Sequence, residues 1–262
     1  MATTKVRYNQ IKTGLPVGGD VNYNDVSLLL NMEGSNGSTT FIDSSSSGHS
    51  VTANGNASIS TSEFKFGSSS AYFDGSGDYL SMSTTNSLDL RSGDFTIETW
   101  FYDAGISNNN TIIGNWGQNL DDNYILSVNN SRQILFYWGG NSNVNALITS
   151  SSTYSTNTWN YVAVVRNDNT FTLYLNGTSV GSETSTDSTY QHSSTLIGKY
   201  GSNLGGFSAN TFYGYIDQVR ITKGVARYTS NFSVPTAAFP AFESKEGKKL
   251  RVGANGTIEL ES

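Results

Sequence analysis

From Val26 onward the chain breaks into short apolar runs separated by clusters of Gly, Asn, Asp and Ser. The runs are Val26–Met32, Ala71–Phe73, Tyr79–Met82, Phe95–Tyr102, Tyr124–Val128, Gln133–Trp138, Tyr161–Arg166, Phe171–Leu175 and Tyr213–Ile221. The residues between them supply the positive φ angles and side-chain caps that tight turns need. Phe95-Thr-Ile-Glu-Thr-Trp-Phe alternates apolar and polar at first, the period of a half-buried strand. The sharpest turn signal is Asn176-Gly177, inside Phe171-Thr-Leu-Tyr-Leu-Asn-Gly-Thr-Ser-Val. Both central residues of a type I′ turn take positive φ, so this pair predicts a hairpin. The run before it, Trp159–Arg166, stops at Asn167-Asp168-Asn169, which predicts another. No stretch keeps helical i, i+3, i+4 spacing beyond one or two turns, and only 3 prolines occur, as suits a ladder-rich chain. Many short strands without intervening helices predict an all-β antiparallel sandwich or barrel.

The flanks have a different texture. Residues 1–24 are polar, carry Gly14, Pro16, Gly18 and Gly19, and read as an N-terminal arm; residues 25–240 form the sandwich domain. Residues 241–262 hold a charged linker from Glu243 to Lys249, then an alternating strand, an Asn-Gly turn and a second strand, Leu250 to Leu260. A lone two-stranded hairpin is marginal in water. This C-terminal β-hairpin tail therefore needs its own sandwich or copies of itself, and a homo-oligomer is expected, with a trimer favoured.

Composition narrows the function classes. Aromatic residues make up 12% of the chain, enough large rings for a sizeable core despite a charge content of 14%. The net charge is −6, the wrong sign for neutralising phosphates, so no nucleic acid is expected as partner, and no anionic membrane either. The longest basic cluster, Lys245 to Arg251, lies beside Glu243 and Glu246. With no cysteine, disulfide stapling, Cys-ligated zinc and thiol chemistry are excluded. Neither a signal-like apolar core at the start nor an apolar run of about 20 residues is found, and assembly in a reducing cytosol is the expectation.

A family resemblance emerges from the strand motifs. Ala71-Tyr-Phe-Asp-Gly-Ser-Gly-Asp-Tyr-Leu-Ser-Met, then Leu88-Asp-Leu-Arg-Ser-Gly-Asp-Phe-Thr-Ile-Glu-Thr-Trp-Phe-Tyr, resembles laminin-G-like, concanavalin A-like lectin domains. Trp159-Asn-Tyr-Val-Ala-Val-Val-Arg, Leu173-Tyr-Leu-Asn-Gly and Tyr215-Ile-Asp-Gln-Val-Arg-Ile follow in the family's order, so the resemblance covers about residues 26 to 236. It implies a jelly roll of two packed antiparallel sheets. The opening Thr-Lys-Val-Arg-Tyr-Asn-Gln-Ile-Lys and the stretch from Ile221 to Phe232 are also similar to tailed-bacteriophage virion proteins that carry such domains. That similarity implies a non-enzymatic, lectin-like virion protein, localised to the virion, that binds a host surface glycan and other virion proteins. Host adhesion from a tail fibre or head fibre is the leading expectation; a purely architectural capsid or tail decoration protein is the alternative.

The residues that could carry chemistry are few. The fold also hosts glycoside hydrolases, which need two carboxylates about 5–10 Å apart in one cleft. Glu98 stands alone in its strand, and Asp103, five residues on, falls on the opposite face, so neither a hydrolase nor a lyase is expected. His49 and His192 lie in Ser-rich stretches with no nucleophile elbow. The resemblance implies a structural Ca2+ where the first and last strands meet, with Glu33, Asp43 and Asp217 as ligands. Sugar binding by loops at one rim would use Trp116 for stacking with Gln118 and Asp121, and Trp138 with Asn141; Asn115, Asp122 and Tyr137 share that chemistry. Trp138 fits a core position equally well, while Trp100 and Trp159 lie within family motifs and read as core.

Overall fold

The computed structural model describes residues 19–83, 85–91, 93–105, 110–115, 124–140, 143–186, 194–199, 211–242, 250–252 and 258–260. Strands in chain order are β1 (Val26–Leu30), β2 (Thr52–Asn54), β3 (Ser58–Ser60), β4 (Ser70–Asp74), β5 (Tyr79–Ser83) and β6 (Phe95–Asp103). They continue with β7 (Asn110–Gly114), β8 (Tyr124–Val128), β9 (Gln133–Gly140), β10 (Asn143–Thr153), β11 (Trp159–Asn167) and β12 (Thr170–Leu175). The last are β13 (Thr178–Thr184), β14 (Ser194–Ile197), β15 (Tyr213–Lys223), β16 (Leu250–Val252) and β17 (Ile258–Leu260). Two compact units result. Asp25–Phe239 is the sandwich, and Met1–Asn24 with Pro240–Ser262 is the other. In that second unit Asp20 N donates to Phe242 O at 3.0 Å, and β16 pairs antiparallel with β17, Arg251 facing Glu259.

The fold is all-β, two antiparallel sheets packed face to face. Among the described residues the larger sheet runs β13-β12-β11-β6-β15-β4-β3, with β1 also on β15, and the other runs β10-β9-β8-β7-β14-β5-β2. Alternation sorts the side chains as the sequence pattern requires. Phe95, Ile97 and Phe101 of β6 enter the core with Val162, Val164, Phe171 and Leu173, and meet Leu126, Phe136 and Ile148 of the facing sheet. Each such fully buried side chain contributes roughly 1.5–3 kcal/mol by leaving water. The Asn176-Gly177 hairpin forms as expected, with φ of 49° and 81°, joining β12 to β13.

Among the described residues β2, β3, β7, β10 and β14 lie outside the apolar runs that the pattern marks. β7 crosses the stretch expected to be open loop from Asn108 to Asp122, and Ile112 and Ile113 bury it completely. β10 is rich in Ser, Thr and Asn, so its strand character comes from its pairing with β9 rather than from an apolar run.

β15 changes neighbours halfway along one edge. Tyr213–Ile216 pair with β4, whereas Val219–Thr222 pair with β1. A bulge at the changeover leaves Gln218 with φ of 55°, a region that non-glycine residues enter at a cost. Its buried amide offsets that cost. Gln218 Oε1 accepts from Asn31 Nδ2 at 3.0 Å and from Phe239 N at 2.8 Å, and Nε2 donates to Asn31 O at 3.1 Å.

The outer face of the larger sheet is not left to solvent. After β15 the chain turns back, and residues 224–239 lie over it as a strap. Thr96 Oγ1 donates to Val225 O and accepts from Arg227 N. Phe232 N donates to Gly177 O at 2.9 Å, and a Cβ at Gly177 would stand 2.1 Å from Phe232 O, so only glycine admits this approach. Tyr228 and Phe232 stack at 3.6 Å with their planes 7° apart, and Tyr174 and Tyr161 pack on Phe232.

Beneath the strap Glu98 is wholly buried on the outward side of β6. Its Oε1 accepts from Arg220 Nε at 2.7 Å, with Arg227 Nε 3.7 Å away. Its Oε2 accepts from the Tyr228 hydroxyl at 2.8 Å and from the Tyr161 hydroxyl. Burial alone would raise this carboxyl's pKa; Arg220, then Arg227 and Tyr161, outweigh it and hold it below the usual range. Removing one member of such a buried pair costs about 3–5 kcal/mol. Glu98→Ala is therefore expected to lose that much stability in urea denaturation and to expose residues 224–239 to limited proteolysis. A loss below about 1 kcal/mol with an intact strap would contradict this account.

Candidate functional site

The strap stops short of one end of the outer face. Tyr102 of β6 faces Tyr215 of β15 on one side and Trp159 of β11 on the other, and Tyr215 faces Tyr72 of β4. All four point away from the core, because their neighbours Ala71, Phe73, Phe101 and Ile216 point into it. The rings form one row across four adjacent strands. Centroids lie 5.0 Å apart for Tyr72–Tyr215, 5.7 Å for Tyr102–Tyr215 and 5.8 Å for Tyr102–Trp159. Interplanar angles of 42°, 84° and 63° alternate faces and edges along the row. Each ring is half-buried, and Tyr213, further along β15 on the same side, is 39% exposed.

The next row inward is covered. Trp100 faces Asp217 and Tyr161, and the connection between β3 and β4 lies over it. Phe66 packs edge-on against Trp100 at 5.9 Å, and Lys65 Nζ sits 4.0 Å above the Trp100 ring. That connection is fastened by Asp217, whose Oδ2 accepts from Lys65 N at 2.9 Å and Phe66 N at 3.1 Å. The aromatic row is thus a ledge with a wall along one side.

Burial raises the phenol pKa values of Tyr72 and Tyr215. Tyr213, Tyr215, Asp74 and Asp78 add to the shift for Tyr72, and Glu63 and Tyr102 for Tyr215. Both phenols stay protonated at neutral pH and keep a hydrogen to donate. A strip of half-exposed rings bearing hydroxyls can stack on the apolar faces of a sugar while exchanging hydrogen bonds with its rim.

The sequence-predicted residues fare differently. Trp138 is fully buried and stacks on Phe95 at 5.4 Å with a 26° tilt, near Phe171 at 4.9 Å and under Arg166. Its inward position in β9 makes it core and removes it as a sugar platform. Asn115 is buried too, its Oδ1 accepting from Tyr124 N at 2.9 Å. Tyr137 is half-buried on the outer side of β9. Trp116, Gln118, Asp121, Asp122, Asn141 and His192 lie outside the described residues. Trp159, expected in the core, is half-exposed in the row instead, because its place in β11 alternates with inward Asn160 and Val162.

The three acids expected to share calcium do not come together. Asp43 accepts from Leu29 N, Ser45 N, Ser45 Oγ and His49 N; Glu33 accepts from Ser68 N and Ser68 Oγ; Asp217 holds the amides named above. Among the described residues no group of three His, Asp or Glu side chains could hold a metal ion. This donor set fits loop fastening, since its oxygens already face N–H and O–H groups. Glu98 and Asp103 do point to opposite sides of the sheet, Asp103 inward where its Oδ2 accepts from the Tyr154 hydroxyl at 2.7 Å.

Comparison with known proteins agrees with this architecture. Residues 74–227 match the model of the Concanavalin A-like lectin/glucanases superfamily. No curated protein matches the chain. Among solved structures, the binding domain of Paraclostridial Mosquitocidal Protein 1 is similar, with a TM-score of 0.61 at 16% identity over 77% of this chain and 49% of that one. The binding domain of Botulinum Neurotoxin DC in complex with SialylT gives 0.57 at 15% identity, over 78% and 49%. Domain 4 of AbnA, an extracellular arabinanase from Geobacillus stearothermophilus, in complex with arabinotriose, gives 0.56 at 14% identity, over 77% and 93%. The chain spans about half the length of the toxin binding domains it resembles, and at these identities the likeness is one of fold.

Asp217 gives the wall a pH signature. Burial lifts its pKa from 3.8 to about 7, against the pull of the Phe66 and Lys65 amides. The folded protein therefore keeps a proton that the unfolded chain releases, and the stability this confers is present at low pH and lost as pH rises to about 7. Asp217→Asn removes the titration. The stability of the parent minus that of the variant should fall between about pH 4 and 7, by up to about 1.4 kcal/mol per pH unit, and flatten above. Parallel urea-stability curves across that range would refute the assignment.

Proposed function

Because this chain belongs to the Concanavalin A-like lectin/glucanases superfamily, we propose that its outer aromatic row is a carbohydrate-binding platform and that the protein is a host-surface adhesin of a phage virion, on a tail fibre or head fibre. The observation that carries the reading is the row itself: Tyr72, Tyr215, Tyr102 and Trp159, in ring contact and half-open beside rows that the Lys65–Phe66 connection and the strap cover. The lectin-like fold supplies the family precedent, and relatives of that fold include one solved with arabinotriose and one with SialylT.

The reading is non-enzymatic. Glu98 is sealed beneath the strap with both oxygens engaged by Arg220, Tyr161 and Tyr228, so it cannot meet a glycosidic bond. The virion setting rests on the resemblance of the flanking stretches to phage proteins and on the absence of cysteine. Through the tail hairpin the protein assembles as a homo-oligomer, a trimer by preference, against other virion proteins. Several copies of a weak site then act together, and avidity can exceed single-site affinity by about 10²–10⁴.

A glycan array probed with the assembled protein tests this, alongside Trp159→Ala, Tyr102→Ala and Trp116→Ala. Binding to a defined sugar class that falls about tenfold or more with Trp159→Ala or Tyr102→Ala, at unchanged melting temperature, is the expected result. Loss with Trp116→Ala alone would move the site to the loop rim. Silence of the folded parent protein, with loss of particle stability when residues 1–24 are deleted, would favour the architectural decoration role.

A further inference from the structure

The form of the row narrows the ligand, given the glycan-binding reading above. A site for a terminal sugar is a pocket: it encloses one ring and satisfies its hydroxyls from several sides. The row is the opposite. It runs across β4, β15, β6 and β11, three interstrand spacings or about 15 Å, with the Lys65–Phe66 connection along one side. Successive rings repeat at 5.0, 5.7 and 5.8 Å, so a ligand that uses the whole row must itself be extended and repeating.

Charge narrows it again. Acids lie at the β4 end of the row: Asp74 follows Tyr72 by two residues in β4 and so shares its outward side, its Oδ1 accepting from Ser76 N at 2.7 Å and its Oδ2 from Asn56 Nδ2 at 3.1 Å, and Glu63 lies in the β3–β4 connection. The cation along the wall, Lys65, is held over the Trp100 and Phe66 rings. A carboxylated sugar laid on Tyr72 would meet the like charge of Asp74, while the hydroxyls of a neutral sugar would find the Tyr hydroxyls as partners.

We propose that the ledge binds an uncharged, linear polysaccharide in mid-chain, lying across the strands with its sugars packed in turn against the faces and edges of Trp159, Tyr102, Tyr215 and Tyr72. Contact accumulates with each added sugar, so affinity climbs with chain length until the row is filled. The chain ends play no part.

Affinity electrophoresis of the full chain tests this, in gels containing arabinan, xylan, mannan or dextran, and in gels containing polygalacturonate or polysialic acid. Retardation in at least one neutral gel, absent in the acidic gels and abolished by Trp159→Ala, is expected. Oligosaccharides of the retained polymer should then bind more tightly with each sugar, gaining about tenfold or more in total from two to four units and then levelling, with the free monosaccharide not competing. Retardation by acidic polymers only, or a monosaccharide that binds as well as the tetramer, would overturn the ligand assignment and leave the glycan-binding reading standing. Retardation that the row variants do not touch would overturn it as well. No retardation in any gel together with a silent array would overturn both.

Discussion

A single carboxylate fixed inside a sheet face organises this protein. Glu98 sits where a solvent-facing residue of β6 would normally be, and its charge survives there only because four side chains close around it. Those four come from β15, β11 and the strap, so satisfying one buried charge sews three separate stretches of chain together. The alternative, an exposed acid on an uncovered sheet, would ask nothing of residues 224–239 and leave their aromatic side chains without a seat. The strap's course then decides what remains accessible. It roofs the rows of Thr96 and Glu98, the Lys65–Phe66 connection roofs that of Trp100, and the row of Tyr102 is left open.

That division suits a binding module. The closed part of the face holds the strap in place, through an ion-pair cluster and stacked rings. The open part is preorganised by the same strands, since each ring projects from a central ladder rather than from a loop. Rings held by sheet geometry lose little conformational freedom when a ligand arrives, which favours recognition by a shallow surface. The bulge at Gln218 belongs to this arrangement: it directs Asp217 at the β3–β4 connection and offers the Gln218 amide to Asn31 and Phe239, fastening the wall and the end of the strap from one point.

The strands were legible because their signals are local. Period-two alternation exposed β6, the Asn176-Gly177 pair set the β12–β13 hairpin, and five motifs in order pointed to the jelly roll. The site was not legible, although Tyr72, Tyr102, Trp159 and Tyr215 all lie in the family-like strand motifs. Alternation with Phe73, Phe101 and Ile216 puts Tyr72, Tyr102 and Tyr215 on the outer side, but only the lateral order β4-β15-β6-β11 aligns them with Trp159, and that order is set by contacts remote in sequence. Trp138 misled for the converse reason: it closes an apolar run beside glycines, the texture of a rim, yet its partners Phe95 and Phe171 come from the opposite sheet. Glu33, Asp43 and Asp217 looked like cation ligands because acids near strand ends suit either role. Backbone amides, silent in a sequence, claimed them. The stretch from Ile221 to Phe232, which resembles phage proteins, also has packing reasons of its own: Thr222 and Arg227 bond each other, and Tyr228 and Phe232 stack.

The shared edge of β15 also sets the order in which the sandwich can be built. Beyond a local bridge from Leu30 to Asp43, Val26–Leu30 find their partner strand at Val219–Thr222, after nearly the whole sandwich has been synthesised. During translation β1 is an apolar segment with no ladder to join, while the neighbouring hairpins are already able to close. Closing that edge joins segments from opposite ends of the sandwich, a contact of high loop-closure cost that can form only once β15 exists.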